Sequence, residues 1–198
     1  MTDKNVLKLK IILGSTRPNR FSEQAGKWIS EEAGKVADVK AEILDLRDYA
    51  MPFFNEPVSP SYKQEPYKNE AVARFTSKIA EGDAFIIVTP EYNRGTSGVL
   101  KNALDWVYPE WNNKPVGFVA YGSVGGARAV EQLRTVAVEL QMAPVRNAVH
   151  INSHWMLLDE KGVLKTGALD PYKEAAEGLL NQLLWWARAL KSARDTQA

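Results

Sequence analysis

The chain of 198 residues contains no cysteine. This absence excludes thiol nucleophiles, disulfides and zinc sites built on thiolates, and with them a phosphatase that works through a cysteine in a phosphate-binding loop. Only two histidines are present, His150 and His154. No further metal-ligating residues flank them, so we expect no metal site and interpret both as structural residues around the last strand.

A charge excess and long apolar runs are also lacking. The 25 Lys and Arg residues nearly cancel the 24 Asp and Glu residues, which leaves a net charge of +1 and no broad field to attract nucleic acid or an anionic membrane. Residues 1–10 are charged, and no apolar run approaches the roughly 20 residues that cross a bilayer. We therefore expect neither nucleic acid nor a membrane as a partner, and a cytoplasmic protein. The length predicts a single domain over residues 1–198.

Apolar runs of strand length alternate with segments of helical spacing along the chain. The predicted strands are 6–13, 39–46, 84–88, 116–121 and 142–151, and the alternating pattern of 39–46 places it near a sheet edge. Pro144 breaks the last strand, and a small hairpin over 155–164 follows it. Five alternations of strand and helix with right-handed crossovers predict an α/β fold, a doubly wound five-stranded parallel sheet with helices on both faces.

The turn from the first strand into the first helix has the composition of a phosphate-binding loop. Gly14 permits a sharp exit from the strand, and the opening turn of the helix offers unpaired N–H groups and the positive end of its dipole. The loop lacks both the Gly-Lys-Ser/Thr ending of a triphosphate loop and the glycine spacing of a dinucleotide fingerprint, which favours a monophosphate bound without a metal. A solvent-exposed turn with two surface arginines is the alternative. The candidate binding residues are Ser15, Arg17, Arg20, Ser22 and Glu23.

Two further loops follow the core strands 84–88 and 116–121. In a parallel sheet all strand-to-helix loops emerge at the carboxyl edge, where ligands bind beside the switch in strand order. The first of these loops has residues that stiffen and turn the backbone, and a tyrosine that can stack on a ring. The glycines of the second loop let the backbone approach a ring edge. The two loops suit a flat, hydrogen-bonding aromatic group attached to the phosphate, and flavin mononucleotide (FMN) fits all three loops. The candidate residues are Pro90, Glu91, Tyr92, Asn93 and Arg94 in one loop and Gly122, Ser123, Gly125 and Gly126 in the other.

Three ordered motifs resemble those of the NADPH-dependent FMN reductases of the flavodoxin-like superfamily, which includes quinone, azo-dye and chromate reductases. They are Gly14-Ser15-x-Arg17, Pro90-Glu91-Tyr92-Asn93 with the later Gly98-x-Leu100-Lys101-Asn102-Ala103-Leu104-Asp105-Trp106, and Gly122-Ser123-x-Gly125-Gly126-x-Arg128-Ala129. The resemblance implies a flavodoxin-like fold, with the FMN phosphate on the first loop and the flavin ring between the other two. Many members carry serine at the position of Arg20 and asparagine at that of Ser22. This leaves open whether Arg20 binds the flavin phosphate, faces solvent or binds a phosphate of the nicotinamide cofactor.

The resemblance also implies a reaction. Hydride passes from NAD(P)H to FMN and on to a small-molecule electron acceptor, for which a quinone is the best-supported choice, and no side-chain acid or base is required. The resemblance further implies a homodimer or homotetramer. Arg17, Arg94 and Arg128 are all candidate contacts of a 2′-phosphate, so a preference for NADPH over NADH stays open.

The sequence is also compatible with two alternatives from other functional classes. One is a flavodoxin-type electron carrier. Such carriers are strongly acidic proteins, however, and the charge of this chain is balanced. The other is a flavin-binding regulatory module that acts through the connection 47–68. This connection is rich in proline and aromatic residues, and we interpret it as a contact of the site or of another subunit rather than a loop folded over its own core.

Overall fold

A parallel sheet of five strands forms the centre of the protein, of which the computed structural model describes residues 6–63 and 65–197. The strands are β1 (Leu7–Leu13), β2 (Val39–Asp45), β3 (Ala84–Pro90), β4 (Pro115–Gly122) and β5 (Ala143–Asn152). The helices are α1 (Phe21–Gly34), α2 (Glu70–Glu81), α3 (Gly98–Asp105), α4 (Ala127–Glu139) and α5 (Lys173–Gln197). All neighbouring strands pair in parallel in the order β2-β1-β3-β4-β5, which is the order of flavodoxin-like folds. The predicted fold class is therefore confirmed, with β2 at an edge as expected.

Helices cover both faces of the sheet because β1, β3 and β4 are apolar on both sides. One buried cluster joins Ile11 of β1 to α1 through Ile29 and to α5 through Leu183. The other cluster joins Ile12 of β1 to α2, α3 and α4 through side chains that include Phe75. Adjacent residues of one strand thus supply the two separate cores of a doubly wound fold. Among the described residues, none of the helices is both long and apolar enough to span a bilayer.

The reversal in strand order fixes the place of the ligand cleft. Strand β1 pairs with β2 on one side and with β3 on the other, so the chain leaves the loops after β1 and β3 in opposite directions and opens a crevice between them. A hydrogen bond of 2.8 Å from the backbone N–H of Gly14 to the carbonyl oxygen of Val88 joins the end of β1 to β3. The loops after β1, β3 and β4 therefore meet at one edge.

Two local predictions need correction at the end of the sheet. Strand β5 continues through Pro144, and the disruption is limited to a shift in its pairing with β4 near Val116 and Phe118. An edge strand tolerates proline at such an irregularity because no further ladder hydrogen bond is required there. The hairpin predicted over 155–164 is reduced to a single antiparallel bridge between Leu158 and Leu164, since a 3₁₀ turn takes up His154–Leu157.

The described part of the connection 47–68 folds largely over the core of its own chain. Its inner aromatic residues pack against the cluster beneath α2 and α3, and they are Tyr49, Phe54 and Tyr67. The side chain of Asn102 holds this path by donating to the carbonyl oxygen of Pro52 at 2.8 Å and accepting from the backbone of Phe54 at 2.8 Å. For these rings the predicted site or subunit contact is wrong. Phe53 and Tyr62 are 83% and 79% exposed, and for them the contact stays a prediction.

Candidate active site

A cleft of about 350 Å³ lies at the carboxyl edge of the sheet, where the three predicted loops meet. It is lined by Arg17, Pro18, Asn19, Arg20, Phe21, Pro90, Glu91, Tyr92, Tyr121, Gly122, Ser123, His154 and Trp155. A second groove, of about 560 Å³, lies along the outer side of α1 and shares Asn19 and Arg20 with the cleft. Glu23 lines that groove and not the cleft. The structure thus brings residues from all three loops around one space.

Helix α1 begins at this cleft with its first turn uncapped. The residue before the helix, Arg20, provides no side-chain acceptor for the free N–H groups, whereas α2 and α3 begin with such caps from Asn69 and Ser97. The hydroxyl of Ser22, in this first turn, is buried and has no hydrogen-bond partner among the described residues. An uncapped helix start beside an unpaired buried hydroxyl suits an anionic ligand.

The two arginines of the first loop have different surroundings. Arg20 is buried, and its guanidinium donates to Asp45 at 2.7 Å and to the carbonyl oxygen of Ser15 at 2.6 Å. Arg17 is exposed, and its guanidinium carbon lies 5.5 Å from the centre of the Tyr92 ring. The hydroxyl of Tyr92 in turn lies 2.9 Å from that of Ser15. Of the two cations, Arg17 is the one placed to meet a bound anion.

The second loop is a tight turn. Tyr92 and Gly95 exchange backbone hydrogen bonds of 2.9 and 3.0 Å, and both central residues have positive φ, 49° for Asn93 and 70° for Arg94, as a type I′ turn requires. Both central side chains are exposed at the tip of the turn, and neither lines the cleft. The base of the loop is tied to β4, because Glu91 donates its backbone N–H to the carbonyl oxygen of Tyr121 at 3.0 Å.

The third loop brings the backbone close to the sheet through its glycines. Gly126 has a φ of 69°, and a Cβ placed on it would lie 2.7 Å from the Cβ of Ala120. The carbonyl oxygen of the preceding Gly125 lies 2.9 Å from Nδ1 of His150, which is a structural contact for that histidine. Neither Gly125 nor Gly126 lines the cleft itself. The two glycines therefore set the path of the loop, and Gly122 and Ser123 provide its surface in the cleft.

Tyr121, His154 and Trp155 line the cleft although the sequence did not predict them as site residues. The ring centre of His154 lies 4.9 Å from those of Phe21 and Tyr121 and 5.4 Å from that of Trp155. Burial, and after it the charge of Arg17, lowers the pKa of His154, so its imidazole is neutral at pH 7. Burial raises the pKa of Tyr121 to about 12, so its hydroxyl is neutral too. Because His154 and Trp155 directly follow β5, the same edge rule that located the other loops would have found them.

These features together fit an aromatic monophosphate. The uncapped turn of α1, the unpaired hydroxyl of Ser22 and the free guanidinium of Arg17 are all donors for an anion. Five of the residues that line the cleft are aromatic: Phe21, Tyr92, Tyr121, His154 and Trp155. Its single lining carboxylate among the described residues, Glu91, accepts hydrogen bonds from the backbone N–H of Arg128 at 3.1 Å and from its guanidinium at 2.5 Å. An anion at the first loop therefore meets no unpaired negative charge.

Comparisons with known proteins agree with this chemistry. The model of a family described as NADPH-dependent FMN reductase matches residues 7–156. An NAD(P)H-dependent FMN reductase of Schizosaccharomyces pombe is 37% identical over 144 residues, which cover 72% of this chain and 72% of that protein. A 2-hydroxy-1,4-benzoquinone reductase of a Burkholderia species is 31% identical over 143 residues, 69% of this chain and 73% of the relative. The solved structure of FerB, a flavoenzyme NAD(P)H:(acceptor) oxidoreductase from Paracoccus denitrificans, has a TM-score of 0.70 at 21% identity and covers 90% of this chain and 97% of its own, which supports the fold.

Proposed function

Because the chain belongs to the NADPH-dependent FMN reductase family and is an FMN-dependent NAD(P)H oxidoreductase, we propose that the cleft between its three loops holds FMN and that its electron acceptor is a quinone. The observation that carries the site assignment is the start of α1. There the uncapped first turn of α1 and the exposed guanidinium of Arg17 lie beside a cleft lined in large part by aromatic side chains, and the buried hydroxyl of Ser22, in the same turn, has no hydrogen-bond partner among the described residues.

Each loop has a separate part in holding the cofactor. Ser15, Arg17 and Ser22 donate to the phosphate, together with the N–H groups of the first turn of α1. Arg20 acts through its bonds to Asp45 and to the carbonyl oxygen of Ser15, which fix the shape of the loop. The loops 90–94 and 122–126 bound the ring on its two sides. Bound there, FMN supplies the chemistry of hydride acceptance from NAD(P)H and of electron transfer to the acceptor.

The protein contributes binding and orientation rather than proton transfer. The carboxylate of Glu91 is engaged by the guanidinium of Arg128, and burial raises the pKa of Tyr121 to about 12, so the hydroxyl of Tyr121 is not a base near pH 7. Tyr92 and Trp155 are aromatic residues that line the cleft, and a planar acceptor can stack on such side chains. A quinone is such an acceptor, and the benzoquinone reductase among the relatives supports this choice.

The alternatives from other classes lose support. Relatives that match about seven tenths of this chain are named as reductases, and not as electron carriers or regulators. We propose further that the enzyme is a homodimer or homotetramer in the cytoplasm, with α3 in the interface between subunits. Light scattering on the purified protein tests the oligomeric state, and a monomeric mass would contradict it.

The decisive experiment is a visible spectrum of the purified protein after incubation with FMN. We expect a flavin spectrum that bleaches under anaerobic NADPH or NADH and recovers when 1,4-benzoquinone is added. A protein that never retains FMN would contradict the site. Flavin that bleaches but is not reoxidised faster by benzoquinone than by buffer would contradict the acceptor alone.

A further inference from the structure

Five arginines surround the carboxyl edge of the sheet, and three of them are bound within the protein. The guanidinium of Arg20 contacts Asp45, and that of Arg128 contacts Glu91. The guanidinium of Arg47 donates to the backbone carbonyl oxygens of Thr16, at 3.3 Å, and of Arg17. These three side chains hold loops in place. The other two, Arg17 and Arg94, are available to ligands.

The two available arginines lie on two different loops, and Tyr92 is close to both of them. Arg17 stacks on the ring of Tyr92 and lies on the loop before α1, where we place the phosphate of FMN. Arg94 follows Tyr92 by two residues and is exposed, and its guanidinium makes no hydrogen bond or ion pair with the part of the chain that the structure describes. One exposed cation thus lies on the loop assigned to the flavin phosphate, and a second exposed cation lies at the tip of the neighbouring loop, outside the lining of the cleft.

The backbone of Arg94 has a conformation that arginine rarely adopts. Its φ of 70° lies in the left-handed region, at the turn position where glycine is unstrained and arginine is not. The turn is rigid, because Tyr92 and Gly95 are paired across it and Gln132 donates to the carbonyl oxygen of Arg94 at 3.1 Å. A strained residue in a fixed turn beside a ligand cleft is the kind of backbone strain that accompanies function.

We propose that the guanidinium of Arg94 binds the 2′-phosphate of NADPH and so gives the enzyme its preference for NADPH over NADH. This inference rests on the proposed function. NADPH differs from NADH only by this phosphate, and a guanidinium is the side chain whose forked donors match phosphate oxygens. With Arg128 bound to Glu91 and Arg17 at the flavin phosphate, Arg94 is the candidate that remains of the three arginines that the sequence left open.

The test measures reduction of the enzyme-bound flavin by each nucleotide in anaerobic stopped flow, with no acceptor present. In Arg94→Gln we expect the preference for NADPH over NADH, taken as the ratio of apparent dissociation constants, to fall about ten- to hundredfold, the range expected for a lost charge-assisted hydrogen bond. Arg94→Lys keeps the charge without the forked donors, so its preference for NADPH should lie between those of the wild type and Arg94→Gln. Arg188→Gln on the exposed surface of α5 is the matched control for loss of one positive charge.

A binding measurement gives a readout that does not depend on turnover. By calorimetry on the FMN-loaded protein, adenosine 2′,5′-bisphosphate should bind more tightly than adenosine 5′-monophosphate, and Arg94→Gln should remove this difference. An equal loss of affinity for NADPH and NADH, or an unchanged ratio, would overturn the inference. It would also be overturned if Arg94→Gln weakened FMN binding tenfold, or if only reoxidation by an anionic acceptor changed. Failure of the proposed function looks different, because neither nucleotide would then bleach the wild-type flavin.

Discussion

The guanidinium of Arg20 is bound to the carboxylate of Asp45, which is the last residue of β2. Only 2% of the Arg20 side chain and 23% of the Asp45 side chain are exposed, so the pair is largely removed from water. Arg20 also donates to the carbonyl oxygen of Ser15. The ion pair thus connects an edge strand to the loop that we assign to the FMN phosphate, and it fixes the backbone of that loop.

The ion pair predicts a pH-dependent stability. Although burial acts to raise the pKa of Asp45, hydrogen bonds from Arg20 and from the backbone of Arg47 lower it below its ordinary value. A carboxyl group with a lowered pKa stabilises the fold above its unfolded-state pKa, and that contribution is lost as the pH falls towards the folded-state value. We expect Asp45→Asn to lower the free energy of unfolding by about 3 kcal/mol at neutral pH and by less near pH 3.

Urea unfolding at the two pH values checks this prediction. Asp105→Asn is the matched control, because Asp105 pairs with Lys101 on an exposed helical surface and such pairs contribute about 0.5 kcal/mol or less. A deficit in Asp45→Asn that stays the same size from neutral to acid pH would contradict the role of the ion pair.

Removal of Arg17 should weaken FMN binding. Its guanidinium is exposed beside the start of α1 and has no acidic partner in the described part of the chain, so Arg17→Ala leaves no buried group unpaired. We expect the dissociation constant of FMN to rise about tenfold, through loss of a charge-assisted hydrogen bond, with little change in the stability of the apoprotein. Titration of the apoprotein with FMN measures this constant, and Arg188→Ala provides the control. An unchanged affinity in Arg17→Ala would count against the assignment of the first loop.

Replacement of Ser22 should weaken cofactor binding without weakening the fold. Its buried hydroxyl lacks a partner among the described residues, so in the apoprotein Ser22→Ala removes a polar group that contributes no hydrogen bond. We expect the stability of the apoprotein to stay the same or to rise by up to about 1 kcal/mol, while FMN affinity falls about three- to tenfold. Thermal unfolding without FMN and flavin titration provide the two measurements. Destabilised apoprotein with normal FMN affinity would show that the hydroxyl serves the fold and not the ligand.

Gly126 should be far less tolerant of a side chain than Gly162. Both glycines have a positive φ, 69° and 75°, but a Cβ on Gly126 would lie 2.7 Å from Ala120 whereas a Cβ on Gly162 meets nothing within 4 Å. Gly162→Ala should cost about 1 kcal/mol from backbone strain alone. Gly126→Ala should cost about 2 to 4 kcal/mol, because the clash adds to the strain and displaces the loop. Chemical unfolding compares the two variants, and equal losses would contradict the close approach at Gly126.

The buried Lys114 should make the free energy of unfolding depend on pH in the alkaline range as well. Burial, and after it the charge of Arg194, lowers the pKa of Lys114 to about 8. Its ammonium group donates to the carbonyl oxygens of Ile79 and Ala80 at the end of α2, both at 3.0 Å. Between pH 8 and the unfolded-state pKa of 10.5 the unfolded chain binds more protons than the folded one, so this residue makes the protein more stable as the pH rises.

Lys114→Met should remove this alkaline gain. We expect the variant to have a flatter dependence of unfolding free energy on pH between pH 8 and pH 10, measured by urea titration. Lys191→Met is the control, since Lys191 pairs with Asp83 and is more exposed than Lys114. A parallel pH dependence in the wild type and Lys114→Met would show that another group causes the change.

The positions of the three loops could be predicted from the sequence because they depend on local patterns. Apolar runs such as 84–88 and 116–121 identify central strands, and a parallel sheet places all their carboxyl ends at one edge. The motif that begins at Gly14 and the turn that follows Pro90 mark those ends in the sequence. Apolar patterns, loop composition and motifs thus predicted the fold and about half of the residues that line the cleft.

The tertiary structure decided which side chains are free to bind ligands. Arg17 and Arg20 look equivalent in the sequence, but Asp45, 25 residues after Arg20, binds one of them. Glu91 is taken up by Arg128, 37 residues away. Which charges pair depends on strand register and on the length of each loop, and neither is encoded by a local pattern. For that reason composition and motifs located the cleft, and only the packing of distant segments determined which of its charges remain available to a cofactor.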